Sequence, residues 1–106
     1  MRRAARTDAN QEDIVLHLRA VGCSVQPLHM VGAGVPDLLV GYRGKNYLIE
    51  VKDGSKQKSE RKLTAAQIVW HGSWSGQIHV AESPDEALKI VGADVTKLIE
   101  RLTHGL

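Results

Sequence analysis

Two apolar segments, residues 34–42 and 46–52, flank a short Arg43-Gly44-Lys45 connection, and that spacing favours a β-hairpin. The hairpin is unusual for the charges it carries. Asp37 lies in its first segment, Glu50 and Lys52 in its second. A charge within an apolar strand costs free energy unless it is paired or bound to a metal. Side chains alternate across a strand, so Leu48, Glu50 and Lys52 share one face and Tyr47, Ile49 and Val51 the other. The face of Asp37 depends on the turn. If Arg43 and Gly44 form a two-residue turn, Tyr42 pairs with Lys45 and Asp37 lies opposite Glu50. A four-residue loop sets Asp37 opposite Lys52 instead. Both gather the three charges on one face, whereas a three-residue loop without a bulge sends Asp37 to the other.

The rest of the chain reads as support for this hairpin. Thr7 or Asp8 can cap a first helix, with Gln11 completing a capping box after Asp8. Ile14, Val15, Leu18 and Val21 form its apolar stripe and Gly22 its stop. Residues 24–28 are a short extended segment; Pro27 has no N–H to give, which marks an edge strand. Residues 53–62 form a polar, lysine-rich loop. Thr64 and Gln67 make a second capping box, starting a helix that runs to about Trp74. Residues 77–81 are a short strand. Ser83, Pro84 and Glu86 start a third helix that ends near Gly92. Asp94 can cap a last one bearing Leu98, Ile99 and Leu102. The predicted order is αβββαβαα, in one domain over residues 1–106.

Composition narrows the classes. No run approaches the roughly 18 apolar residues of a membrane span, and the basic start at Arg2, Arg3 and Arg6 has no apolar signal segment after it. The single cysteine, Cys23, excludes an internal disulfide and fits a reducing cytoplasm. The net charge of +2 says little about partners, but its distribution says more. Arg3 and Arg6 cluster at the start, and Lys56, Lys58, Arg61 and Lys62 follow the hairpin directly, as phosphate contacts to DNA would. His29, His71, His79 and His104 lack zinc-ligand spacing. Gly32, Ala33 and Gly34 precede a strand rather than a helix, against a dinucleotide loop. Trp70 and Trp74, four apart on one helix face, read as core or dimer surface.

Singly, Asp37 reads as a strand start, Glu50 with Lys52 as a solvated pair, and Gln67 as a cap. Together the hairpin charges read as a site. Two carboxylates side by side repel unless something positive sits between them. Oxygen ligands favour Mg²⁺ or Mn²⁺ over zinc, and such a cation suits phosphodiester hydrolysis, with Lys52 beside it to orient or deprotonate water and balance charge.

At Pro36-Asp37 and Glu50-Val51-Lys52 the chain resembles the PD-(D/E)xK nuclease superfamily, most of all small VRR-NUC-type nucleases and archaeal Holliday-junction resolvases. The resemblance covers roughly residues 7–81 and implies an α/β, restriction-endonuclease-like αβββαβ core with extra C-terminal helices. It also implies a metal held by Asp37, Glu50 and the Val51 carbonyl, and Lys52 assisting the nucleophile. DNA, duplex or branched, is the implied substrate, and a homodimer with no small-molecule cofactor the implied assembly. Such relatives often carry a glutamate on the first helix, and Gln11 stands there, so Gln11 joins Asp37, Glu50 and Lys52 in the implied catalytic set. Glu12 and Asp13 lie farther from the apolar stripe. Gln67 matches a helix glutamine that often follows the motif, and joins Arg3, Arg6, Lys56, Lys58, Arg61 and Lys62 as an implied nucleic-acid contact.

Overall fold

The computed structural model describes residues 9–94 together with Thr96, Ile99, Glu100 and Thr103. Its elements run α1 (Ala9–Ala20), β1 (Ser24–Pro27), β2 (Leu38–Tyr42), β3 (Lys45–Val51), α2 (Ala65–Ser73), β4 (Ile78–Ala81) and α3 (Pro84–Val91). The strands form one mixed sheet in the order β1-β2-β3-β4, antiparallel except for the parallel β3–β4 pair. The parallel pair requires a crossover, which α2 supplies. Pro27 ends an edge strand, as its missing N–H demands.

The hairpin register is settled by the turn. Tyr42 pairs with Lys45, leaving Arg43 and Gly44 as a two-residue turn, with φ of 51° and 78°. Positive φ at both positions is the type I′ geometry that matches the twist of paired strands. Leu38 faces Ile49, and the same register carried one residue beyond the ladder sets Asp37 opposite Glu50. The first segment is strand only from Leu38 onward. Residues 34–37 do not extend β2, because Gly34 takes a left-handed φ of 85° and Pro36 cannot donate to a ladder. The Asp37 carbonyl instead accepts the Leu28 N–H at 2.6 Å, which ties the end of β1 to the start of β2.

One face of the sheet is closed. Leu38, Val40, Tyr42, Tyr47, Ile49 and Val51 pack with Ile14 and Leu18 of α1 and Leu88 and Val91 of α3 into the core. Full burial of a Leu or Ile side chain contributes about 1.5–3 kcal/mol relative to exposure, and Ile14, Leu18, Leu38 and Ile49 are all completely buried. Cys23 is part of this core, and burial pushes its thiol up to about 11, so it behaves as a small apolar residue. The other face carries α2, none of whose residues is fully buried. Trp70 and Trp74 therefore lie outside the core, stacked on each other at 4.7 Å.

Local chemistry places the helix ends. Thr64 accepts the Gln67 N–H while the Gln67 side chain accepts the Thr64 N–H, a complete capping box. Ser83 accepts the Glu86 N–H, Pro84 opens α3, and Gly92 closes it with a φ of 72°. Asp94 accepts the Thr96 N–H, and Thr96, Ile99, Glu100 and Thr103 are helical. The expected caps at Thr7 or Asp8, the basic residues Arg2, Arg3 and Arg6, and Leu98, Leu102 and His104 lie outside the described residues.

Candidate active site

The three hairpin charges meet at the end of β3 on the face covered by α2. Asp37, just before β2, is held by the Val51 N–H, which donates to its Oδ2 at 2.8 Å. Glu50 is only 2% exposed. Its Oε2 accepts from Gln67 Nε2 at 2.9 Å and lies 4.0 Å from Lys52 Nζ, while its Oε1 is buried with no donor among the described residues. Lys52 Nζ donates to Gln67 Oε1 at 2.9 Å. Gln67 thus bridges an acid and a base, donating to one and accepting from the other.

Burial and the neighbouring Asp37 carboxyl push Glu50 up to about 8, against a smaller opposing pull from the Lys52 ammonium. At neutral pH Glu50 therefore keeps its proton in the absence of a cation. An all-oxygen set with a buried carboxylate oxygen that no donor reaches suits a hard divalent cation in the proton's place. The protein supplies two carboxylates here; among the described residues no three His, Cys, Asp or Glu side chains come together.

Gln11 is 5% exposed on α1 and borders a groove shared with Val15, Leu16 and Pro27. Glu12 and Asp13 are exposed, and Asp13 pairs with His17 at 3.3 Å, so neither replaces Gln11 on the inner face. Lys56, Lys58 and Lys62 are exposed on the loop that leaves Lys52, which includes a 3₁₀ turn at Lys58–Glu60. Arg61 differs from them. It pairs with Glu82 at 2.9 Å and ties this loop to the end of β4. Gln67, expected as a nucleic-acid contact, is spent on Glu50 and Lys52. Arg3 and Arg6 lie outside the described residues.

Three supporting residues have little or no signal in the sequence. Asn10 donates to the Lys52 carbonyl at 2.7 Å and reaches the Glu82 carbonyl at 3.4 Å, docking the start of α1 on the end of β3. Its signal is only a polar residue beside Gln11. Gly34 lies so close to α2 that a methyl group in its place would collide with the Ala66 carbonyl and come within 3.0 Å of the Gln67 nitrogen. The sequence displays the glycine but not its neighbour. His71 stands one turn after Gln67; burial and the Lys52 charge hold its pKa below the usual range, so it is neutral beside that lysine at pH 7.

This is the fold of a PD-(D/E)xK-type nuclease domain, with Asp37 and Glu50 facing each other across its hairpin. More particularly, the chain is similar to a solved structure described as a VRR_NUC domain, with 26% identity and a TM-score of 0.57 over 77% of this chain and 89% of that one. No family model matches the chain, nor does any curated protein.

Proposed function

We propose that the chain is a metal-dependent endonuclease that hydrolyses phosphodiester bonds in DNA, duplex or branched. The observation that carries this reading is the juxtaposition of Asp37, Glu50 and Lys52, with Gln67 fixing the last two, at the strand end from which a loop of exposed lysines leaves. The likeness to a VRR_NUC domain supports the same chemistry. Asp37, Glu50 and the Val51 carbonyl would hold Mg²⁺ or Mn²⁺, and the cation would supply Lewis-acid polarisation of a phosphoryl oxygen. Asp37 is fixed by the Val51 N–H and Glu50 by Gln67, so neither must reorganise to bind it. Lys52, oriented by Gln67, positions the attacking water and offsets the charge that develops on the phosphate. Lys56, Lys58 and Lys62 bind backbone phosphates and give salt-dependent, sequence-independent affinity. A homodimer with a two-fold axis would present two such sites for paired cuts, as in resolvases.

The test is cleavage of single-stranded, duplex, flap and four-way-junction DNA with Mn²⁺. The wild-type protein is expected to cut at least one of these, and Lys52→Ala to slow the cut by about 10²–10³-fold. Cleavage by Lys52→Ala at the wild-type rate overturns the reading, and light scattering with and without DNA decides the dimer. A second reading, a nuclease fold kept for DNA binding with weak or no catalysis, is favoured by one observation: the buried residue at the expected acid position is the neutral Gln11. It predicts DNA binding with no cleavage and no thermal stabilisation by millimolar Mn²⁺.

A further inference from the structure

The face of the sheet that holds the carboxylates continues, away from them, into a concavity of about 410 Å³. Leu28, Leu39, Leu48, Asn46, Trp70 and Trp74 line it. Its placement follows from the register. Leu39 pairs with Leu48, and Leu48 and Asn46 alternate along β3 with the same facing as Glu50. At about 3.4 Å per residue, the concavity begins about 7–14 Å along the strand from Glu50.

Its chemistry is specific. The Trp70 and Trp74 rings are stacked with 17° between their planes, and Trp74 is 46% exposed, so the pair offers further aromatic surface. Asn46, which is exposed and also lines the neighbouring groove with Ser24 and Gly41, adds a side-chain amide that carries both a donor and an acceptor. A flat aromatic group with hydrogen-bonding edges meets both features, and a nucleobase is such a group. The order along β3 fits the same occupant: concavity first, carboxylates next, then the exposed Lys56, Lys58 and Lys62. A single strand laid along this face would meet stacking, metal and phosphate-binding groups in turn. The outward side of α2 is different. Ile68 and Val69, 59% and 71% exposed, are not among the residues that line the concavity.

We infer that the Trp70–Trp74 concavity takes an unpaired nucleobase of the substrate, within a few nucleotides of the phosphate that is cut. The inference rests on the nuclease reading and deepens it. A duplex keeps its bases inside the stack, so the site selects DNA with an unpaired segment beside the cut: a flap, a bulge or a frayed branch point.

The test uses the full chain in EDTA, where cleavage cannot interfere. The chain has 2 tryptophans, so its indole fluorescence reports on Trp70 and Trp74 alone. Short oligothymidine is expected to quench it saturably, and a blunt duplex of equal length to leave it near baseline. By anisotropy of labelled oligothymidine, Trp74→Ala should bind about 5- to 150-fold more weakly. Trp74→Tyr should restore most of the affinity, and Asn46→Ala should weaken it with Trp74 intact. Absence of quenching, or undiminished affinity in Trp74→Ala, overturns the inference. So does conversion of a dimer to a monomer by Trp74→Ala, which would give the concavity to a second copy. Cleavage by the wild-type protein with Mn²⁺ is scored separately. Cleavage with unchanged oligothymidine binding in Trp74→Ala sinks the base pocket alone, and quenching without cleavage sinks the nuclease reading alone.

Discussion

Gln67 donates to one oxygen of Glu50 at 2.9 Å, while no donor among the described residues reaches the other, buried oxygen of the same carboxylate. Such a carboxylate prefers to keep a proton. Folding raises Glu50 from 4.5 to about 8, so the protonated form stabilises the fold at low pH, and that contribution is lost as pH rises through about 8. In EDTA, the melting temperature is therefore expected to fall between about pH 5 and pH 8.5, each kcal/mol lost appearing as about 4–8 °C in a domain of this size. Glu50→Gln should melt higher than wild type at pH 8 and lose this dependence. Mn²⁺ must displace the proton, so its stabilisation should grow across the same pH window and vanish in Glu50→Gln. A pH-independent wild-type melting curve would contradict the geometry.

Gly34→Ala is expected to disable the site from outside it. Its methyl group would press on the backbone of Ala66, and its positive φ disfavours any side chain. The first turn of α2 would shift and carry Gln67 off Glu50. Stability should drop by about 1–3 kcal/mol in denaturant unfolding, and cleavage should fall at least about tenfold, since a misplacement near 1 Å can cost about 10²-fold.

Thr64→Ala and Gln67→Ala separate the helix start from the chemistry. Losing the Thr64 side chain removes a cap worth about 0.5–2 kcal/mol. Gln67→Ala forfeits the same capping box and also frees both Glu50 and Lys52. The two variants should lose similar stability, while Gln67→Ala loses more activity at saturating DNA.

Charge removal on the loop after Lys52 should divide in two. Replacing Lys56, Lys58 and Lys62 by alanine should flatten the plot of log affinity against log salt by about 0.9 for each duplex phosphate that is no longer neutralised. Arg61→Ala should instead lower the melting temperature, because its partner is Glu82 and its guanidinium is half-buried. An Arg61→Ala protein of unchanged stability would reassign that residue to the DNA surface.

The features legible in the sequence are those set by near neighbours. The capping box at Thr64, the Ser83-Pro84 start and the Gly92 stop are local hydrogen bonds and backbone preferences, and each stands where its residues predict. The hairpin charges are legible as a group because side chains alternate with period two. The turn that completes the group is compatible with two loop lengths in the sequence, and the structure adopts the shorter, at the expense of a positive φ for Arg43 that is unfavoured outside glycine and asparagine. Contacts between distant residues are not legible. Arg61 with Glu82 and Asn10 with Lys52 span 21 and 42 residues, and no periodicity encodes them. The exposure of Trp70 and Trp74 is hidden for the same reason: their spacing marks a helix face without saying whether anything covers it.

The oxygen of Gln67 accepts at once from the Thr64 backbone and from the Lys52 ammonium, both at 2.9 Å. One atom therefore serves as a fastening for a helix and as a bearing for a reactive group. Fraying of that first turn, the motion least costly to any helix end, lets the ammonium swing loose. Hydrogen exchange at the Thr64 amide then reports how often the helix start and the ammonium part company, and a ligand that slows that exchange holds both in place.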